Sequence, residues 1–338
     1  MSAVICASII TGCDINPVFQ PDNKETRKLI AFDTVIDITL YDVEDEDVFN
    51  VLEYWIDRYE NRFSTTIETS EVSLLNNNNG TFQQVSAETF NLINRAVNAN
   101  EITDGAFDIA VYPIVKAWGF TTGEYKIPEN EESRRLLMFT GSRKIQFNPD
   151  NLSVRLLTGM QIDLGGIAKG YIASKLYEKA KEKGVKSGLI SLGGNVQAIG
   201  SKPDGNPWYV GIQHPDYEND YIGVLSITDE AAITSGGYQR FFERDGKRYH
   251  HIIDPSTGAP SESDILSATV ITKDGTMGDA LSTAFYVMGS EKAKEFLANN
   301  PQFKAVILTK DYKVLVSEEL KDKFELGERF FLSDLYYI

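Results

Sequence analysis

Cysteine is almost missing: Cys6 and Cys13 are the only two in 338 residues, and none follows. A disulfide framework is therefore excluded for the chain beyond Cys13. Positive charge is scarce as well. Lys and Arg number 33 against 49 Asp and Glu, for a net charge of -16. Such a chain repels nucleic acid and anionic lipid surfaces. It also repels a phosphate-bearing substrate, unless a metal or local N–H donors offset the field. No apolar run approaches the ~18–20 residues that a membrane-spanning helix needs. Tandem repeats and low-complexity linkers are lacking, and neither the Walker loop nor the dinucleotide fingerprint occurs.

What is there is an ordinary globular composition, 42% hydrophobic and 24% charged, long enough for one large domain or two intimate lobes. Residues 1–24 read as a segment apart from the domain at 25–338. Ala3–Thr11 is apolar or small and runs into Ile10-Thr11-Gly12-Cys13. That pattern resembles the lipobox of bacterial lipoproteins, in which the cysteine becomes the lipidated first residue. Asp14–Lys24 reads as a polar tether. Twelve residues precede Cys13 and none is basic, against the ~15–30 with a charged start that a signal peptide usually has. The alternative is a plain apolar terminus.

Periodicity marks the elements. Arg27–Tyr41 alternates as one strand. Glu44–Asn61 places Val48, Val51, Leu52, Trp55, Ile56 and Tyr59 at helical spacing behind an acidic start, which suits the positive end of the helix dipole. Ser86 is the expected N-cap of a helix reaching Asp104. Pro128–Leu137 is a short polar helix, and Met138–Leu157 a strand pair about Asn148–Asn151. Ile167–Lys183 is a third helix, closed by Gly184. Strands follow at Ser187–Gly200 (two, around Gly-Gly-Asn), Trp208–Gln213, Tyr221–Thr228, Ala231–Thr234 and Ile265–Lys273. Gly278–Met288 and Glu291–Asn299 are helices, and Ala305–Thr309 with Lys313–Val316 is a hairpin. Strands and helices mix without strict alternation, which predicts an α+β fold of mixed or antiparallel sheets with packed helices.

Five stretches carry chemistry. Tyr249–Gly258 follows an Asp245-Gly246 turn and is expected to be the return strand of a hairpin. Alternation puts Tyr249, His251 and Ile253 on one face, and Pro255 ends the strand. One histidine then stands beside Asp254 with an unperturbed pKa of ~6.5, suited to proton transfer near neutrality. A packed or solvated His pair is the alternative. Asp279 and Thr283, four apart, share a helix face. A carboxylate with a hydroxyl is hard-oxygen ligation of the Mg²⁺ kind, although Thr276 and Asp279 equally spell a capping box. In Asp163-Leu164-Gly165-Gly166-Ile167-Ala168-Lys169-Gly170, glycines ahead of a helix let backbone N–H groups meet an anion. Lys169 adds a cation there, the Ala168 carbonyl could face a metal, and a bare turn is the alternative. Ser191–Asn195, with Gly193 and Gly194, and Thr234-Ser235-Gly236-Gly237 permit tight turns. Together these pieces suit a large phosphorylated ligand.

Phe107-Asp108, Trp118-Gly119-Phe120, Asp163–Gly170, Ser191–Asn195, Ser235-Gly236-Gly237, His251-Ile252-Ile253-Asp254-Pro255 with Thr257-Gly258, and Asp279–Ala284 occur in that order. From about Arg27 to the C-terminus this resembles the ApbE family, the FAD:protein FMN transferases. The resemblance implies a T-fold-like architecture. It implies Mg²⁺-dependent cleavage of the FAD pyrophosphate, with FMN passed to a Thr or Ser hydroxyl of a target flavoprotein and AMP leaving. His251 would be the base for that hydroxyl. Asp279 and Thr283 would hold the metal with the Ala168 backbone oxygen. Phe107, Asp108, Trp118, Asp163, Lys169, Gly193, Gly194, Ser235, Gly236, Gly237 and Asp254 would surround FAD. The partner would be an extracytoplasmic redox protein or a subunit of an Rnf/Nqr-type complex, with this chain lipid-anchored at Cys13 on the outer side of the membrane. Family members often carry an aromatic after a Ser-Thr pair. Here Thr66 follows Ser64-Thr65, which leaves hydrolysis of FAD to FMN and AMP open beside transfer. A non-catalytic flavin-binding lipoprotein is a further class. A hydrolase with Ser235, His251 and Asp254 as a triad is another, though no nucleophile elbow surrounds that serine.

Overall fold

A computed structural model describes residues 23–45 and 47–338; the lipobox-like stretch at Cys13 lies outside them. Nine strands build the central sheet: β1 (Lys24–Ala31), β2 (Thr34–Tyr41), β3 (Ser187–Leu192), β4 (Asn195–Ile199), β5 (Ala231–Gly236), β6 (Ile265–Thr272), β7 (Lys304–Thr309), β8 (Val314–Val316) and β9 (Leu335–Tyr337). They lie side by side in chain order. Neighbours are antiparallel, except β8 and β9, which are parallel.

Both faces of this sheet are covered. On one side lie the five longer helices: α1 (Val48–Phe63), α2 (Ala87–Ile102), α3 (Gly165–Glu182), α4 (Gly275–Met288) and α5 (Ser290–Asn299). On the other, strands 208–213, 221–227 and 324–326 form a small antiparallel sheet. Strand β7 shows why its sequence is apolar without a break. Ala305 and Ile307 join the core under the helices, while Val306 and Leu308 pack with Trp208, Ile212 and Leu225. A strand buried on both faces needs no polar alternation. Each such side chain contributes ~1.5–3 kcal/mol by leaving water.

Three expectations need correction. Arg27–Tyr41 is a hairpin and not one strand, because Phe32 and Asp33 turn the chain with φ of 53° and 55°. Two positive φ values in a two-residue turn usually call for Asn-Gly, so Phe-Asp concealed it. The Phe32 N–H donates to Glu60 Oε1 at 2.7 Å, which ties the turn to α1. Secondly, α4 starts at Gly275, with Asp274 as its N-cap accepting from the Met277 N–H. The Thr276/Asp279 capping box is therefore not formed, and Asp279 sits inside the helix. Thirdly, the hairpin's return strand, Lys247–His250, stops one residue before His251. Ile253–Asp254 is a separate short strand paired with Ala259–Pro260. His251 thus occupies a bend between two strands.

Candidate active site

The site begins where α3 crosses α4. A Cβ on Gly170 would stand 2.1 Å from the Gly275 carbonyl oxygen and 2.7 Å from Asp279 Cβ. One on Gly275 would meet Ser174 Oγ at 2.7 Å. Only glycine allows the two backbones so close, and that closeness sets the Asp279 carboxylate against α3. Its Oδ2 accepts from the Gly170 N–H at 2.9 Å and its Oδ1 from Asn195 Nδ2 at 3.0 Å. Lys169 Nζ lies 3.9 Å from Oδ1. Asp279 is 2% exposed. We predict that Gly170→Ala drives a methyl into a backbone oxygen that cannot step aside, costing ~1–3 kcal/mol or more as overpacking does. Thermal melting checks this, and a wild-type melting temperature would contradict so tight a crossing.

Asn195 reaches Asp279 because β4 starts directly after the Gly193–Gly194 turn, where φ is 59° and 92°. Thr283 lies one turn of α4 beyond Asp279. Its Oγ1 is 3.1 Å from Ser235 Oγ at the end of β5, which is also 2.8 Å from Ser282 Oγ. The start of α3 closes the group: a Cβ on Gly166 would lie 3.0 Å from the Phe107 ring and 3.8 Å from Thr283 Oγ1.

Among the described residues, no three His, Cys, Asp or Glu side chains converge as a metal cluster. A metal held at this place would take hard oxygens of mixed type: the Asp279 carboxylate, the Thr283 hydroxyl and a main-chain carbonyl. That donor set fits Mg²⁺, which keeps waters and phosphate oxygens as its remaining ligands. The N–H groups already holding both Asp279 oxygens fix the carboxylate's orientation, as outer partners of a metal ligand do. Ala168 lies in the early turns of α3 and is buried. There a carbonyl's regular partner is the N–H four residues on.

His251 is fixed by a single backbone group. Its own N–H and its Nδ1 both lie 3.1 Å from the Arg240 carbonyl oxygen. A carbonyl only accepts, so Nδ1 carries the ring proton and Nε2 keeps the basic lone pair; this tautomer is assigned from the partner. The Arg240 guanidinium in turn donates to the Phe120 carbonyl, tying the hairpin to the loop after Trp118. Burial pushes the imidazole's pKa down to about 4, opposed by the Arg240 carbonyl and assisted by the charges of His250, Arg240 and Lys169. Asp163 shares this neighbourhood. Burial pushes its carboxyl up, against the Gly165 N–H at 2.9 Å and the cations Lys169 and Arg240.

Other candidate residues serve the frame. Trp118 is 4% exposed, donates its indole N–H to the Gly258 carbonyl at 2.9 Å, and packs at a tilt against the rings of Tyr249 and Phe242. Asp108 pins a loop: Oδ1 accepts from the N–H groups of Ala110 and Ser142, and Oδ2 from that of Gly141. Burial raises its pKa against those bonds. Asp254 Oδ1 accepts from the N–H and hydroxyl of Ser256 within its own turn. Gly236 ends β5. Gly237 leaves room for the Tyr286 hydroxyl, 2.4 Å from where its Cβ would be, and for the His250 ring. The Ser235–His251–Asp254 triad is not assembled, since Ser235 bonds Ser282 and Thr283 while Arg240 orients His251. Arg240 was not singled out in the sequence, and Asn195 was named there only as the end of the Ser191–Asn195 stretch. Asn195 had one signal, its place directly after a Gly-Gly turn.

An oriented imidazole and a buried carboxylate beside a part-buried hydroxyl stand together on an α+β scaffold, a residue set suited to an enzyme of the group-transfer class. The chain belongs to the ApbE family, whose model matches residues 32–307. It is 34% identical over 272 residues to the FAD:protein FMN transferase of Klebsiella pneumoniae strain 342, covering 80% of this chain and 84% of that one. The enzyme of the same name from Treponema pallidum is 33% identical, with 85% and 83% covered. Among solved structures, the ApbE protein of Thermotoga maritima superposes with a TM-score of 0.84 at 33% identity, over 89% of this chain and 99% of that one. The flavin transferase ApbE of Vibrio cholerae superposes at 0.78 and 26% identity, over 89% and 100%.

Proposed function

We propose that this chain transfers FMN from FAD to a Ser or Thr hydroxyl of a target protein and releases AMP. The observation that carries the reading is the Nδ1 contact to the Arg240 carbonyl, which leaves His251 Nε2 as a free base. Nε2 takes the proton of the acceptor hydroxyl. The oxygen then attacks the phosphorus of the FMN half, the pyrophosphate P–O bond breaks, and AMP departs with the bond's electron pair. Asp279 and Thr283 would hold Mg²⁺, which would supply charge neutralisation at the pyrophosphate. Lys169 adds a cation against the overall field of -16. The acceptor class we infer is an extracytoplasmic redox protein or an Rnf/Nqr-type subunit, met by a chain anchored at Cys13. A mature chain whose mass shows no lipid at Cys13 would remove the anchor.

Incubation with FAD, Mg²⁺ and an acceptor domain should give an acid-stable fluorescent adduct and AMP in equal amounts. FAD hydrolysis is the second reading, favoured by Thr66. That side chain is exposed and bonded to Ser64 Oγ at 3.0 Å, so position 66 itself contributes no ring to exclude water. Free FMN without adduct would select it, and FAD left intact would indicate a binding protein.

The pH dependence follows from His251. A base must be neutral, and burial lowers its pKa below the usual ~6.5, so the neutral form persists into acid. The kcat/KM profile, which reports the free enzyme, should stay flat through pH 6 and fall only well below it. An acid limb centred at or above pH 6.5 would remove His251 as the titrating base.

A further inference from the structure

A cleft of about 240 Å³ opens beside His250, one residue before the base. Two strands line it. Lys247–His250 pairs with Phe241–Arg244, and Ala259–Pro260 pairs with Ile253–Asp254, as two separate two-stranded sheets. Each lining strand is therefore paired on one edge only among the described residues. An unpaired β edge offers N–H and C=O groups that another extended chain can take up. Trp118 and Pro128 add an apolar wall. The hairpin at residues 240–250 carries Arg240, Arg244, Lys247 and Arg248 against Glu243 and Asp245. It is a net basic projection on a chain of net charge -16.

We propose that this cleft seats the acceptor protein, as an extended segment with acidic residues flanking its hydroxyl-bearing side chain, laid along Lys247–His250. The proposal rests on the transferase reading above. The cleft's walls meet at His250, whose Nε2 lies 3.0 Å from the Ser261 carbonyl oxygen, and a strand advances ~3.3 Å per residue, so a segment paired along Lys247–His250 ends one residue short of the bend that holds His251. Lys247 is paired with Glu262 across the cleft lining, and both side chains are exposed. Such a pair is weakly held, so Lys247 exchanges Glu262 for a carboxylate of the incoming segment.

The test uses the full chain, FAD, Mg²⁺ and the purified flavin-acceptor domain of an Nqr-type subunit. K247E/R248E reverses the charge of the wall, and Ser133→Trp fills the cleft. Both should raise the acceptor KM at least tenfold, while FAD affinity by flavin fluorescence and the melting temperature stay near wild type. The charge-reversal effect should shrink as salt rises. An unchanged acceptor KM in both variants would overturn the proposal. FAD affinity falling in step with transfer would overturn it too, by giving the cleft to the dinucleotide. Absence of adduct with the wild-type chain would instead count against the transferase reading itself.

Discussion

His251→Ala should bind FAD as the wild type does and lose at least ~10²-fold in adduct formation, the low end of what a positioned general base supplies. The two properties separate because the imidazole's held contact is with a backbone carbonyl of its own hairpin. Losing one such hydrogen bond costs only ~0.5–1.5 kcal/mol, so the melting curve should move little. Single-turnover kinetics with FAD saturating would read the chemical step alone. A variant within tenfold of wild type would exclude the histidine as the base, and a variant that no longer binds FAD would make it a ligand-binding residue.

Asp279→Asn should abolish the stabilisation that Mg²⁺ gives the wild-type protein. Both carboxylate oxygens accept, one from the Gly170 N–H and one from Asn195 Nδ2. An amide has one accepting oxygen, so either orientation sets its NH₂ against a buried donor. That costs ~1–3 kcal/mol in unmet hydrogen bonding, besides the loss of the negative charge. At a metal concentration 100-fold above Kd, binding stabilises a fold by ~2.7 kcal/mol, which appears as a rise of several degrees in melting temperature. The wild type should show that rise with Mg²⁺ and the variant should not. An equal rise in both would place the metal elsewhere.

Features with short-range causes were legible in the chain. Ser86 caps α2 as read, its side chain accepting from the Thr89 N–H, because a cap needs only its next three residues. The one-turn spacing of Asp279 and Thr283 follows from helical pitch in the same way. Phe32-Asp33 was illegible for the opposite reason. Phe resists positive φ although Asp tolerates it, and the turn is enforced by strands β1 and β2 and by Glu60. The strand end at His250 was hidden because alternation continues through His251, and one cross-strand bond from the His251 N–H to the Arg240 carbonyl follows the last regular pair, Phe241 with His250.

By itself the sequence determined the α+β character, the likeness to ApbE proteins, and the residue types able to bind a hard metal and move a proton. The tertiary structure alone decided how Asp279 is held. Its partners Gly170 and Asn195 are 109 and 84 residues away along the chain, and they meet it through the glycine-to-glycine crossing of α3 with α4 and the position of β4. It also decided which histidine nitrogen is basic, since that depends on a carbonyl eleven residues earlier. Periodicity reports the face a side chain takes on its own element. Which distant donor meets that face follows from packing.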